Sequence, residues 1–545
     1  MPLSTIKDIS LAYGLNFYSI DKPLRDVLRF YIGREPDLYS IGAFSGTDIY
    51  EAAYRVDQLS KPALITWSIK GDRVDTVWLD SFERIIIEKL ILDYGANRFP
   101  FNGGSWHEHF ASINLIGDPG VGCILTISIQ TAYTLYKYGG DPIRGYYRNL
   151  SGFSKPLMIG ATWFTEIQGG SDLGANTTIA DRVNGVWRLN GYKYFASGAG
   201  LADIALVTAR SPGAPKGAKG ISLFAVPRLR SDGKLNFYVR RLKVKSGTVS
   251  VPTGEVELID SDGYIIGEPS KGIYYALESL MVSRLSNSHG AIGISRKAYF
   301  EALLYALERK AFGKRLVDHL LVQRDLLEME SLIEAGLILV HKATKEFEES
   351  KNDTPPYTST YHYARLLTHI AKNITAEIAS RVTQLAMELF GGVGFLSEYP
   401  VERWHREALI TPIWEGTSNI QALDMLEVIA KKGAHETLIS DMREKAKETI
   451  DPEVSRRALK AIEETISSLA FKDPSLIEYE AKDTLDTLGY AISVILLENL
   501  ASHIGERRYS NIAKVILDRM IDKKPIPRLK QSDIIEIIGI GTITI

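Results

Sequence analysis

Apolar residues recur along this chain with two rhythms, in three blocks. To about residue 157 they fall at three- and four-residue spacing, as in Pro23–Arg34, Thr47–Leu59 and Asp80–Asp93, which predicts amphipathic helices. Gly- and Pro-rich segments, Asn97–Ser105 and Gly117–Gly122, separate helical stretches, and Pro119–Lys137 predicts a buried helix. From about Met158 the period becomes two. Val183–Tyr194 holds two Asn-Gly pairs among alternating residues, a hairpin signal. Ile204–Thr208, Ile221–Val226, Leu235–Val244 and Gly254–Leu258 predict short strands, with Ser211–Gly220 as a connector. After Gly272 the helical period returns. Tyr274–Lys310, Val317–Ser350, Tyr357–Phe390 and Asn419–Lys432 predict the four helices of a bundle, Pro355-Pro356 dividing the second from the third. Pro452–Leu469, Ser475–Ile504 and Arg508–Ile521 predict further helices.

Helices, then strands, then helices indicate an α+β fold. The expected domains are a helical one over 1–157, a β-barrel or sandwich over 158–268, a helical bundle over 269–432 and an extra helical domain over 433–545. No G-x-G-x-x-G marks a strand-to-helix turn, which argues against a Rossmann site. A length of 545 residues calls for roughly three or four domains. The net charge of −2, with acids and bases interspersed, argues against a general nucleic-acid binder. Cys123 is the only cysteine, excluding intrachain disulfides and cysteine-cluster metal sites, and no metal is expected. The first 17 residues lack a signal-peptide apolar core, and no uninterrupted apolar run reaches bilayer length, so a cytoplasmic protein is expected.

Chemistry concentrates in a few strings. Ile413–Gln421 (IWEGTSNIQ) places Glu415 between Trp414 and Gly416. Burial against an indole raises a carboxylate's pKa toward working pH, as a general base needs. The same string also reads as a helix start, with Thr417 or Ser418 capping Asn419–Ile429. Gly160–Asp172 (GATWFTEIQGGSD) sets the Thr165 hydroxyl beside Trp163 and Phe164, before a Gly169-Gly170-Ser171 turn whose amides can face an oxygen-rich ligand. Phe195 and Ser197 alternate onto one strand face, where both can meet a planar ligand.

Five strings, TEIQGGSD (165–172), GYKYFASG (191–198), ERKAFGKRL (308–316), LFGGVGFLSEYPVERWHREA (389–408) and IWEGTSNIQ (413–421), resemble the acyl-CoA dehydrogenase family in order and separation. QGGSD, and Trp-Glu in place of the usual Tyr-Glu, point to its AidB-like branch of adaptive-response proteins, as do residues 62–80 and the helical tail. The resemblance implies a helical domain, a β domain and a four-helix bundle with an extra helical domain, and FAD held between the β domain and the bundle. It implies that Thr165 bonds the flavin, with Trp163 and Phe164 beside it. Gly170 and Ser171 line its phosphate and substrate side, Phe195 stands for a Trp that packs on the ring, and Ser197 lies next to it. Arg309 and Phe312 reach a neighbouring subunit's FAD, Gly391 and Gly392 admit its ADP half, and Thr417 and Asn419, following Trp414, close over it. Without the resemblance, Arg309 reads as a surface ion pair with Glu308 or Glu301.

The implied activity is α,β-dehydrogenation of an acyl-CoA: Glu415 takes the α-proton and a hydride passes to flavin N5. Arg284, near the substrate, tunes Glu415 or pairs with it. A homotetramer is implied, with an electron-transfer flavoprotein as acceptor. Glu388, where a Gln is usual, and Leu320 after His319 depart from the pattern and put efficient acyl-CoA turnover in doubt. The alternatives are an AidB-like stress-response flavoprotein that binds DNA, or an oxidase. Residues 433–545 mix acids and bases, with small basic clusters at Arg456-Arg457, Arg507-Arg508 and Lys523-Lys524, which does not favour DNA. The apolar end, Ile534–Ile545, is expected to dock on a subunit as a strand.

Overall fold

The computed structural model describes residues 9–540. The chain forms two compact units, and they do not follow chain order. One holds 48–104 and 120–283, the other 1–47, 105–119 and 284–545. The residues expected to form one N-terminal domain are thus divided between them.

The first unit is built on strands. A hairpin of β1 (Ala63–Trp67) and β2 (Arg73–Trp78) lies where only helix was expected. Strands β3 (Gly160–Trp163), β4 (Ile179–Val183), β5 (Val186–Ser197), β6 (Ile204–Arg210), β7 (Ile221–Pro227), β8 (Tyr238–Leu242) and β9 (Thr253–Ile265) form one sheet. Its order β3-β6-β4-β5-β9-β7, with β7 also paired to β6, closes it into a barrel, and β8 extends β9. Closure pairs β4, β5, β6, β7 and β9 on both sides, and leaves β3 and β8 as short edge strands. Of the two Asn-Gly pairs only the first is a turn. Asn184 and Gly185 have φ of 51° and 86°, the left-handed pair that a type I′ hairpin requires. Asn190-Gly191 lies inside β5 at a register shift, where the Asn190 side chain accepts from Asp260 N at 2.9 Å. A Cβ on Gly191 would meet Thr178 Oγ1 at 2.3 Å, so a close approach explains this glycine. Trp163, Val207, Phe224, Phe237 and Val256 fill the barrel.

The second unit is helical. Its long elements are Leu320–Ser350, Ser359–Phe390, Ser418–Lys432 and the 284–308 part of the helix Gly272–Glu308. Helix Trp106–Ile116, unassigned in sequence, is closed by a Ser105/Glu108 capping box and a left-handed Gly117. The expected helix Ser475–Ile504 is two, Pro474–Tyr479 and Ala481–Ile504. By length and composition Ala481–Ile504 is long and apolar enough to cross a membrane, although Lys482, Asp483, Asp486 and Glu498 interrupt its apolar run. Its apolar residues are mostly buried, and Gly489 lets it approach helix Ser359–Phe390 so closely that a Cβ would meet Ile374 Cγ1 at 2.3 Å.

The C-terminal expectation is corrected as well. Residues Gln531–Ile537 are helical, not a strand, and the segment docks within its own unit. Arg508 donates to Ile537 O at 3.0 Å and Tyr299 to Ile538 O at 3.0 Å. Residues 541–545 lie outside the described residues.

Candidate active site

The barrel unit carries one set of the expected residues. β3 runs into a tight turn in which Gly169 N donates to Glu166 O at 3.0 Å, and Tyr194 N on β5 donates to Thr165 O at 3.0 Å. Gly170 stands so close to Thr165 that a Cβ there would meet Thr165 Oγ1 at 2.4 Å. Thr165 and Gly170 are half-buried and Ser171 is exposed. On β5 the pleat turns Ala196 inward and leaves Phe195 54% exposed, with Ser197 half-buried on the same side. The Ser197 hydroxyl lies 3.4 Å from Thr253 Oγ1. Trp163 requires a correction. Its ring is fully buried in the barrel, with the indole N–H donating to Ser197 O at 2.9 Å, so its side chain is core and not a cofactor contact. The Phe164 ring is likewise buried, in a second apolar cluster with Leu173, Ile204 and Leu223.

Sequence reading missed what braces this turn. Glu166 and Lys193 are both buried and pair at 2.8 Å. Glu166 also accepts from Thr177 N and Oγ1 (2.7 and 2.8 Å) and from Thr178 N and Oγ1 (3.1 and 2.6 Å). Burial alone would raise the Glu166 pKa. The Lys193 charge and these hydrogen bonds outweigh it and hold the carboxyl at about 2. Burial lowers Lys193 to about 8 against the pull of Glu166. Both are therefore ionised at neutral pH. The available signal was Glu166 in TEIQGGSD, which also carries Asp172, and Lys193 as the one charge in GYKYFASG.

The helical unit carries the second set. The turn after helix Pro400–Ala408 leads to Glu415, whose φ is 59°. An L-residue held left-handed costs about 1–2 kcal/mol, so surrounding contacts must hold it. Arg284 Nε donates to Glu415 O at 2.9 Å. Gln421 Nε2 donates to Glu415 O at 3.0 Å and Gly416 O at 2.9 Å, and Lys372 Nζ donates to Gly416 O at 2.7 Å. Arg284 is buried and faces Asp424 at 3.5 Å. The Trp414 indole N–H donates to Asn287 Oδ1. Thr417 is the N-cap of Ser418–Lys432 by position, yet its hydroxyl makes no capping bond; Thr417 and Asn419 are exposed. Ser418 instead bonds Glu377 at 3.3 Å.

Arg309 is exposed and precedes a two-stranded hairpin, β10 (Lys310–Ala311) and β11 (Lys314–Arg315), that was not foreseen. Phe312 forms its tip with φ of 51°, next to Gly313, and is 98% exposed. Arg309 does not pair with Glu301, which is buried and accepts from Leu11 N and Ala12 N at 3.1 Å each. Gly391 and Gly392 follow helix Ser359–Phe390, exposed and with open space where a Cβ would stand. Among the described residues no group of three His, Cys, Asp or Glu is placed to hold a metal.

This inventory suits FAD part by part. The Phe195 ring is exposed, with Lys243 Nζ 4.8 Å from its centroid, and suits stacking with a planar heterocycle, while the Thr165–Ser171 turn offers a hydroxyl and backbone amides. In the helical unit Arg309 suits pyrophosphate, and the two open glycines and the uncommitted Thr417 hydroxyl suit close approach by a nucleotide.

Comparisons with known proteins agree. The acyl-CoA dehydrogenase middle-domain model matches residues 161–261 and the C-terminal-domain model residues 270–430. The short-chain-specific acyl-CoA dehydrogenase of Clostridium acetobutylicum is 32% identical over 359 residues, 63% of this chain and 90% of that protein. The chain belongs to the acyl-CoA dehydrogenase family, and it is an oxidoreductase of the FAD-dependent type that this family represents. Within the family it is similar to AidB of Escherichia coli, 28% identical over 452 residues, 78% of this chain and 80% of AidB. The solved structure of Caenorhabditis elegans ACDH-11 with C11-CoA shares the fold at 23% identity and TM-score 0.82, over 96% of this chain and 94% of that one.

Proposed function

We propose that the protein dehydrogenates an acyl-CoA thioester between Cα and Cβ, with Glu415 as the base. The observation that carries this reading is the left-handed Glu415, held by donors on its own carbonyl and on that of Gly416. Strain of this kind persists only where surrounding structure maintains it, and it concentrates at functional residues. The Glu415 carboxylate takes the α-proton, and its backbone N–H donates to the thioester oxygen as negative charge builds there. Bound FAD supplies the acceptor for the β-hydrogen and its electron pair. Thr165, Phe195 and Ser197 on the barrel unit hold the flavin ring. Gly170 and Ser171 lie beside it and the acyl chain, while Trp414, Thr417, Asn419, Gly391 and Gly392 hold the remainder. Arg309 and Phe312 extend to the cofactor of a neighbouring subunit. We further propose a cytoplasmic homotetramer that hands electrons to an electron-transfer flavoprotein.

The test is anaerobic. Acyl-CoAs of graded length and branching are added to the yellow protein and flavin bleaching is recorded beside Glu415→Gln. Bleaching by wild type, slowed at least about a hundredfold in the variant, is expected. If no acyl-CoA bleaches the bound flavin, the reading falls in favour of an AidB-like stress-response flavoprotein whose task is binding. That second reading draws on the likeness to AidB. DNA is not favoured as its ligand, because much of the basic character of residues 433–545 is neutralised within the unit. Arg456 pairs with Glu453, Arg457 with Asp518 and Asp522, Arg508 with Glu330 and Glu334, and Lys524 with Asp522.

A further inference from the structure

Two side chains that this chemistry does not use converge on the turn that presents Glu415. Lys372 lies in helix Ser359–Phe390, buried, and gives its ammonium to Gly416 O at 2.7 Å. One turn earlier in the same helix His369 is buried, and its Nδ1 lies 2.8 Å from Gln421 Oε1. A carboxamide oxygen only accepts, so His369 Nδ1 carries the proton and donates. That bond fixes which way the Gln421 amide faces, and its Nε2 then reaches Glu415 O at 3.0 Å and Gly416 O at 2.9 Å. Gly416 has no room for a side chain: its φ is 96° and a Cβ would meet Gln421 Nε2 at 2.7 Å. Burial, together with the charge of Arg284, drives His369 well below its ordinary pKa, so it stays neutral and keeps this tautomer.

We propose that Lys372 and the His369–Gln421 pair are positioning residues that lock the Glu415–Gly416 backbone in its left-handed turn. Arg284 adds a bond to Glu415 O, but among the described residues only Lys372 and Gln421 hold Gly416 O, and so fix the turn from its far side. Holding both carbonyls fixes the two peptide planes that follow Glu415. The carboxylate and the N–H of Glu415 are then presented in one geometry without reorganisation at the moment of reaction. Lys372 brings a charge as well. Burial and, after it, the neighbouring Arg284 lower its pKa, Glu415 and Glu377 draw it back, and the balance stands at about 7. Its ammonium therefore sits within electrostatic reach of the proposed base. The inference rests on Glu415 being that base only for its catalytic consequence; the clamp itself is a statement about backbone.

The test uses the FAD-loaded protein with Lys372→Met and, independently, Gln421→Leu. Amide hydrogen exchange is read over residues 410–421, beside kcat and KM. Each variant is expected to keep its FAD, to exchange about tenfold faster at residues 414–417 than wild type, and to lose about tenfold in kcat with KM within twofold. Exchange at 414–417 unchanged in both variants overturns the proposal. So does acceleration spread evenly over the bundle, or loss of the folded protein in both, since each marks general core support. Glu415→Gln separates the two readings. If it still bleaches with acyl-CoA while Lys372→Met loosens 414–417, the base assignment falls and the clamp stands. An inactive Glu415→Gln with an unaltered turn in both Lys372→Met and Gln421→Leu does the reverse.

Discussion

The pair Glu166–Lys193 gives a prediction whose size follows from the structure. Lowering the Glu166 carboxyl from 4.5 to about 2 corresponds to about 3 kcal/mol of stabilisation at neutral pH. Lowering Lys193 from 10.5 to about 8 corresponds to about 3 kcal/mol in the opposite sense. The pair therefore comes close to breaking even as a pair, while each member alone is expensive to strand. In Lys193→Met the carboxylate keeps its four bonds from Thr177 and Thr178 but loses its counter-charge, which costs about 3 kcal/mol. In Glu166→Gln the amine keeps only Thr208 O at 2.8 Å and Oγ1 at 3.3 Å. Without the pull of Glu166 its pKa falls further below 10.5, whereas the unfolded chain holds the proton up to 10.5, so the deficit shrinks as pH rises toward 10.5. Native-state hydrogen exchange on the β5 amides is the assay. Each single variant should exchange about a hundredfold faster at pH 7, and the double variant should lose clearly less than the sum. Strictly additive losses, or single variants indistinguishable from wild type, would refute the account of the pair.

Three further outcomes are expected. Gly170→Ala places a Cβ 2.4 Å from Thr165 Oγ1; overpacking of about 1–3 kcal/mol should displace that hydroxyl and weaken FAD retention about tenfold or more, with the barrel intact, as equilibrium dialysis would show. His107, His289 and His341 form a buried cluster, with His107 and His341 Nδ1 atoms 2.9 Å apart, and burial keeps all three neutral, His107 down to about 3. The unfolded chain takes up protons near 6.5 while the fold does not, so stability is intact above that pH and the melting temperature should drop steeply as pH falls from 6.5 toward 4.5; a flat profile would contradict this. Truncation after Asp533 removes the carbonyls that accept from Arg508 and Tyr299, so melting should fall while oligomeric mass, measured by light scattering, stays the same.

Much of the barrel was legible because turn residues bound its short runs: β6 and β7 are buried at every position but the last, so a bounded apolar run rather than alternation marked them. β1 was not, because Ala63, Ile65 and Trp67 are exposed and Leu64 is half-buried, so both of its faces are apolar and no period stands out. Helix Trp106–Ile116 failed for the mirror reason. Every one of its residues is buried, which erases the contrast that reveals a helical face, and only the Ser105/Glu108 box marked its start. Site strings announced themselves through glycines, hydroxyls and one carboxylate in short loops. Lys372 and His369 could not, since both sit at ordinary helical spacing far from Glu415 in sequence, and only the fold brings them to its backbone. Trp163 misled in the other direction: a large ring beside Thr165 is compatible with cofactor or core, and the strand pleat turned it inward.

The two places where a bulky or long side chain is forced left-handed within the expected site are held in different ways. Asn184 tolerates a positive φ because its short amide can bond locally, and it needs nothing from the rest of the fold. Phe312 and Glu415 gain no such local relief. At Phe312 the strain is balanced by the hairpin, whose β10–β11 pairing and Gly313 complete a tight turn and leave the ring fully outside the unit. At Glu415 no hairpin exists, and the balance comes from Arg284, Lys372 and Gln421, drawn from three separate helices. Local preference therefore yields at Glu415 only because tertiary contacts converge on it. That is the pattern expected where a residue's placement matters more than its own comfort.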